Sequence, residues 1–279
     1  MNIIGQDSLI NKINNLTLDS FPRSIILVGE KGSGKHLICS YISQKFELDV
    51  IDISLSLDLD TINQINQRVK PYLYIIDIES LVAKSTFIKC QNTILKFLEE
   101  PLNNAYIVIL CPNLNLLLPT IQNRCQVWLL NPYSPEILNQ FLDSSTDNTN
   151  ILKLARTPGE LKSLSEISLP ELFNFANKII DKISCANYAN VFKLSTHIEF
   201  SDSIDKNLTS PDPIKYQPKL LMRTLLTILR ERIIECSDYH LLEAYKLTDK
   251  VYNDMNSVSS NARCKIENYF SRLWRIMRG

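Results

Sequence analysis

The stretch Ser24-Ile25-Ile26-Leu27-Val28-Gly29-Glu30-Lys31-Gly32-Ser33-Gly34-Lys35-His36 decides the fold. Its first five residues are apolar and β-branched, the pattern of a short buried strand. The chain has only six glycines, and three of them, Gly29, Gly32 and Gly34, fall in one six-residue window. A turn that concentrates them needs backbone free of side chains. Leu37, Ile38, Tyr41, Ile42 and Phe46 then recur at helical spacing, so the unit reads strand, glycine turn, helix. From Gly29 to His36 the sequence fits G-x-x-x-x-G-K-[ST] except at its last position. That pattern turns backbone N–H groups inward around phosphate oxygens at a helix N-terminus and sends a lysine to the outer phosphates. The candidate nucleotide-binding residues are therefore Gly29, Gly32, Ser33, Gly34, Lys35 and His36. His36 stands where a hydroxyl ordinarily holds Mg²⁺, and an imidazole is a poor ligand for that hard ion.

Working outward, further apolar runs at Val50 to Ile53, Tyr72 to Asp77, Tyr106 to Leu110 and Gln126 to Leu130 predict four more strands. Between the third and fourth, Phe87, Cys90, Gln91, Ile94, Leu95 and Leu98 mark one helix face and Lys89, Asn92, Lys96 and Glu99 the other. Pro101 ends that helix. Strands alternating with helices predict a parallel five-stranded sheet in an α/β domain over residues 1–131, with ligands at the carboxyl ends of the strands. Beyond Asn131-Pro132 only helical patterns remain. A small helical group over 132–168 contains the turn Thr157-Pro158-Gly159, and an all-α region over 169–279 carries helices at Lys219 to Cys236, Tyr239 to Met255 and Ala262 to Met277. A long polar loop is expected from Ser201 to Pro213.

Length and composition fit this division. At about 100 to 200 residues per domain, 279 residues make about two domains, or three small ones. Thirty basic residues balance thirty acidic ones, which excludes a protein that coats nucleic acid by bulk charge and confines any DNA contact to a local patch. The start, Met1 to Asp7, has neither the basic nor the apolar stretch of a secretory signal. No apolar run approaches the roughly 20 residues of a membrane helix. The expectation is a cytoplasmic protein with no membrane partner. Seven scattered cysteines without a C-x-x-C pair argue against a disulfide framework or a zinc site, and no zinc is expected.

A nucleotide hydrolase also needs an acid at the end of an apolar strand, and Tyr74-Ile75-Ile76-Asp77 supplies Asp77 as the metal-side candidate. The next position, where a water-activating glutamate is usual, is Ile78, and Glu79 comes one residue later. Successive side chains at a strand end point in different directions, so Glu79 is no automatic substitute. His36 and Ile78 both strike at hydrolysis and leave the fold untouched.

Leu98-Glu99-Glu100-Pro101, followed by a strand and then Thr120-Ile121-Gln122-Asn123-Arg124-Cys125, resembles the clamp-loader branch of the AAA+ ATPases, whose members carry L-E-E-P and then T-I-x-S-R-C at this separation. Asn123 replaces the family's serine; Arg124 and Cys125 match. Ile4-Gly5-Gln6 and Leu154 to Gly159 add to the likeness, which is strong over residues 1 to about 165 and weak beyond. The resemblance implies a P-loop (AAA+) domain, a helical lid and a helical collar that assembles a pentameric ring with other clamp-loader subunits. It also implies a ring that opens a sliding clamp and places it on primer-template DNA for the replicative polymerase. By the same resemblance Arg124 is the catalytic candidate, an arginine finger projecting into the neighbouring subunit's ATP site. Two departures weaken a motor role. Cys111-Pro112-Asn113 stands where hydrolysing paralogs place threonines, and Glu160-Leu161-Lys162 follows Gly159 where a lid arginine is expected.

Three readings follow. The first is a clamp-loader subunit that does not hydrolyse ATP itself. The second is an active AAA+ motor subunit or related DNA-dependent ATPase, which should keep a hydroxyl at position 36 and an acid at 78. The third is a nucleotide switch unconnected to DNA, against which the L-E-E-P and R-C pair speaks. Within the first, residual ATP or ADP binding stays open beside an empty site in which Lys35 pairs with Asp77 or Glu79. For Arg124 the plainer alternative is a salt bridge at the end of the fifth strand, against which the specific motif around it speaks. His197 and His240 have no metal-like company, and the arginines of the last helix read as a solvated or inter-subunit face.

Overall fold

The computed structural model describes residues 3–54, 70–82, 87–99, 105–142, 148–185, 218–255 and 262–278. The expected polar loop from Ser201 to Pro213, His197, and Glu100-Pro101 of the L-E-E-P motif lie outside the described residues. The chain divides into two compact units, residues 1–145 with 155–162, and residues 146–154 with 163–279.

The first unit is built on five parallel strands: β1 (Ser24–Val28), β2 (Asp49–Asp52), β3 (Tyr72–Asp77), β4 (Ala105–Cys111) and β5 (Gln126–Leu129), in the spatial order β2-β3-β4-β1-β5. The expected α/β sheet is therefore present, with the glycine turn leaving the carboxyl end of β1 between β4 and β5. Side-chain alternation along the strands explains why both faces are covered. On β4 all seven residues are buried. Tyr106, Val108 and Leu110 join the core beneath α1 (Asp7–Asn14) and α2 (Lys35–Phe46), where Ile13, Ile38 and Ile42 are fully buried. Ala105, Ile107, Ile109 and Cys111 face the opposite core, which is covered by α3 (Ile78–Val82), α4 (Phe87–Glu99) and α5 (Pro119–Gln122). Each large apolar side chain so buried contributes roughly 1.5–3 kcal/mol.

The face of α4 differs in one residue from its sequence pattern. Phe97 is fully buried and meets Tyr74 edge-on at 5.9 Å, whereas Leu95 and Leu98 are only partly covered. Register sets the working end of the sheet. Asp77 lies level with Leu110, and Leu110 level with Leu27, so the last residue of β3 stands just short of Gly29 and two strands away from β1.

The second unit packs four helices in a closed cycle. In this cycle α9 (Leu169–Cys185) meets α10 (Pro218–Cys236), α10 meets α11 (Tyr239–Asp254), α11 meets α12 (Ala262–Arg278), and α12 returns to α9. The last three match the helices read from sequence. The first was missed because Leu169-Pro170 reads as a boundary. Proline is tolerated in a first helical turn, and Leu172, Ala176, Ile179, Ile180 and Ile183 form the buried stripe behind it. The helix after β5, α6 (Pro135–Asn139), belongs to the first unit; in the second, the short α7 (Thr149–Leu154) is fixed to α10 by Arg223, whose Nη1 donates to the Leu154 carbonyl at 2.9 Å, and by the Lys153–Glu231 pair at 2.7 Å. Between α11 and α12 the buried Thr248 and Tyr269 hydroxyls lie 2.9 Å apart, and burial pushes the phenol's pKa up. Among the described residues no helix is long and apolar enough to cross a membrane.

Candidate functional site

The glycine turn has the backbone its sequence demands. Gly32 and Gly34 both adopt positive φ, 78° and 92°, and Gly34 caps α2 from the left-handed region. Lys35, the first residue of α2, is only 7% exposed. Its ammonium donates to the carbonyls of Gly29 at 2.6 Å and Glu30 at 3.0 Å, and Glu79 Oε1 is 3.8 Å away. Burial lowers its pKa, against the opposing pull of Glu79 and Asp77. The lysine is thus satisfied by its own loop and by Glu79. Of the two acids the sequence offered as its partner, Glu79 makes the ion pair.

Asp77 faces His36 instead, with Oδ2 at 3.7 Å from Nε2. Its Oδ1 accepts from the Glu79 amide at 3.0 Å, and its own amide donates to the Ser54 hydroxyl, which in turn donates to Asp52. The position is well held, but the donor set is one imidazole and one carboxylate already bonded. That does not fit Mg²⁺, which requires oxygen ligands in a near-octahedral shell. Ile78 is fully buried among the apolar residues behind β3, so nothing acidic reaches the site from that position. Glu79 spends its carboxylate on Lys35, with Lys31 at 4.0 Å. The Cys111 thiol is buried, donates to the Asn113 carbonyl at 2.9 Å, and is pushed up to about 11 by burial. Asn113 itself uses Oδ1 to accept from the Asn115 amide, capping the 3₁₀ turn Leu114–Leu116.

One part of the site was not read from the sequence. The segment before and into α8 (Pro158–Ser165) is fastened onto the glycine turn: Thr157 Oγ1 donates to the Lys31 carbonyl at 2.8 Å and the Gly159 amide to the Gly32 carbonyl at 3.0 Å. Thr157-Pro158-Gly159 was expected as a turn between two helices; in fact Pro158 and Gly159 already belong to the first turn of α8. A Cβ on Gly159 would stand 2.5 Å from the Gly32 Cα, so the approach requires glycine on this side. The available signal was glycine scarcity, since Gly159 is the one glycine between Gly34 and the final residue.

The Ile4-Gly5-Gln6 match has a similar framing role. Gln6 is fully buried and exchanges two hydrogen bonds with the Asn131 backbone, at 2.8 and 2.9 Å. Gly5 has φ 82°, and a Cβ there would meet the Tyr133 ring at 2.9 Å; the Tyr133 hydroxyl donates to the Ser33 carbonyl at 3.0 Å.

Arg124 lies apart from this loop, in the turn between α5 and β5. Its side chain is 39% exposed; Nη2 is 2.6 Å from Glu99 Oε1 and Nη1 donates to the Thr120 carbonyl at 2.9 Å. Gly29, Gly32, Ser33, Gly34, Lys35, His36 and Asp77 are therefore brought together at the carboxyl ends of β1 and β3, and Arg124 is not among them. Chemically, one region is a phosphate-type cradle turned on itself, and the other offers an accessible guanidinium.

Residues 73–134, which run from β3 past Arg124, match the family model described as DNA polymerase III, delta subunit. The chain is 24% identical over 282 aligned residues to DNA polymerase III subunit delta′ of Haemophilus influenzae, covering 92% of this chain and 82% of that one. The crystal structure of a DNA polymerase III gamma subunit-related protein from Thermotoga maritima covers 98% of this chain and all of that one, at TM-score 0.46 and 16% identity. By the family model and the delta′ relative, the resemblance to clamp-loader proteins read from the sequence holds, and with that relative it extends past residue 165, where the motifs alone left it weak.

Proposed function

We propose that this chain is a delta-prime-like clamp-loader subunit of DNA polymerase III, which does not hydrolyse ATP itself and supplies Arg124 in trans to the ATP site of a neighbouring subunit. The observation that carries the reading is the contrast between the two cations of the first unit. Lys35 is buried and bonded to the loop that surrounds it, while Arg124, held by Glu99 and Thr120, keeps 39% of its side chain exposed at the surface. A guanidinium is suited to this task because it is always charged and presents several N–H donors in one plane to phosphate oxygens.

On this reading the α/β part (1–131) is a scaffold, 132–168 is a lid and 169–279 a collar. The partners are tau/gamma-like and delta-like subunits in a pentameric ring, the sliding clamp and, through the complex, primer-template DNA. In this chain's own loop two of the three Lys35 ammonium donors are on the Gly29 and Glu30 carbonyls, which leaves at most one for the phosphates of ATP or ADP unless the side chain moves. The alternative, a working motor, has His36 and the buried Ile78 against it. The test is a ring reconstituted with Arg124→Ala: ATP turnover at the adjacent subunit is expected to fall while the ring still assembles. Unchanged turnover removes the trans role.

A further inference from the structure

We infer that Glu99 is a positioning residue for Arg124, holding the guanidinium in place at the surface from the end of α4. The inference rests on the trans reading of Arg124 given above. Two anchors of different origin grip the same side chain: Thr120, on the helix that leads into Arg124, and Glu99, on a helix that arrives from elsewhere in the chain.

The second anchor is itself fixed. Gln91, two turns earlier on α4, is 5% exposed; its Oε1 accepts from the Leu118 amide at 2.8 Å and its Nε2 donates to the Leu116 carbonyl at 3.3 Å. These two backbone groups belong to the segment that enters α5. One helix therefore sets both the four-residue α5 and the side chain that follows it.

The physical gain is order. A surface arginine samples many rotamers, and a group already held loses less freedom when it meets an anion on another molecule. Of the five guanidinium N–H donors the two bonds use two, which leaves three for phosphate oxygens. The Glu99 side chain is 51% exposed and that of Arg124 39%, so water screens the pair. An exposed pair of this kind is worth up to about 1 kcal/mol, which corresponds to a rate change of about five-fold.

The experiment uses the reconstituted ring and follows ATP hydrolysis at the site adjacent to this chain, comparing Glu99→Gln, Arg124→Ala and the double variant. Glu99→Gln is expected to lower kcat about two- to five-fold with KM for ATP unchanged. The double variant is expected to be no slower than Arg124→Ala alone, because a residue that acts through Arg124 has nothing to act on once it is gone. Glu99 is half-exposed, and an unchanged unfolding midpoint of the isolated Glu99→Gln chain confirms that folding is not what is read. If Arg124→Ala lowers kcat and Glu99→Gln leaves it unchanged or raises it, the inference is wrong and the trans reading stands. A double variant slower than Arg124→Ala by the full Glu99→Gln factor also overturns it. If Arg124→Ala changes nothing, the reading of Arg124 and the role of Glu99 fall together.

Discussion

Lys35, at the start of α2, and Arg124, in the turn before β5, belong to the same unit, and their surroundings treat them in opposite ways. Lys35 is buried and bonded to two carbonyls of its own loop, with Glu79 behind them. Arg124 is held by Glu99 and by the Thr120 carbonyl, and 39% of its side chain is exposed. On the proposed reading, the difference is that of a phosphate-type loop kept for its shape beside a guanidinium kept for its charge. The glycine turn is tied to Tyr133 and to Thr157 and Gly159, contacts that need its backbone shape irrespective of any ligand. Substitutions at His36 and Ile78 disturb none of these bonds.

This contrast can be broken in several places. The largest expected effect is on the exposed side. Arg124→Ala should lower ATP turnover at the adjacent subunit by about 10³-fold, the lower end for arginine fingers, with assembly intact by size-exclusion chromatography. On the loop side the effect should be on stability. Gly159→Ala forces a methyl against the Gly32 backbone and should cost about 1–3 kcal/mol in denaturant unfolding; a loss below about 0.5 kcal/mol would show that the contact is slack. Gln91→Ala removes a buried amide that satisfies one backbone donor and one acceptor. A loss of about 1–3 kcal/mol is expected by the same measurement, together with lower turnover at the adjacent site as α5 loosens. The smallest effect is expected at Lys35. In the assembled ring, Lys35→Ala should change total ATP turnover less than two-fold, whereas a fall comparable to that of Arg124→Ala would erase the distinction between the two cations.

Much of the first unit was legible in the sequence because its strands are continuous apolar runs and its turn is glycine-rich. β1 and β3 fall where the runs predict. β2, a half-exposed edge strand, lies one residue earlier than its apolar run, since exposure weakens the pattern that marks it. Phe97 escaped notice because Leu95 and Leu98 offered an equally regular apolar face, and only the position of Tyr74 decides between them. Gln91 was placed on the apolar face of α4, where a polar side chain requires a partner; that the partners are Leu116 and Leu118 is a long-range fact without a local signal. Glu99 was placed on the polar face, as the structure has it, and the meeting with Arg124 depends on the turn after α5. The bond between Gly159 and Gly32, 127 residues apart, was likewise beyond any pattern in the chain.

The most direct test of a scaffold without hydrolysis is the ATP turnover of the purified chain alone, with saturating ATP and magnesium, beside its Lys35→Ala variant. The two should be indistinguishable from each other and from a protein-free control. Turnover that is present in the unaltered chain and abolished by Lys35→Ala would make this subunit a motor and contradict the account.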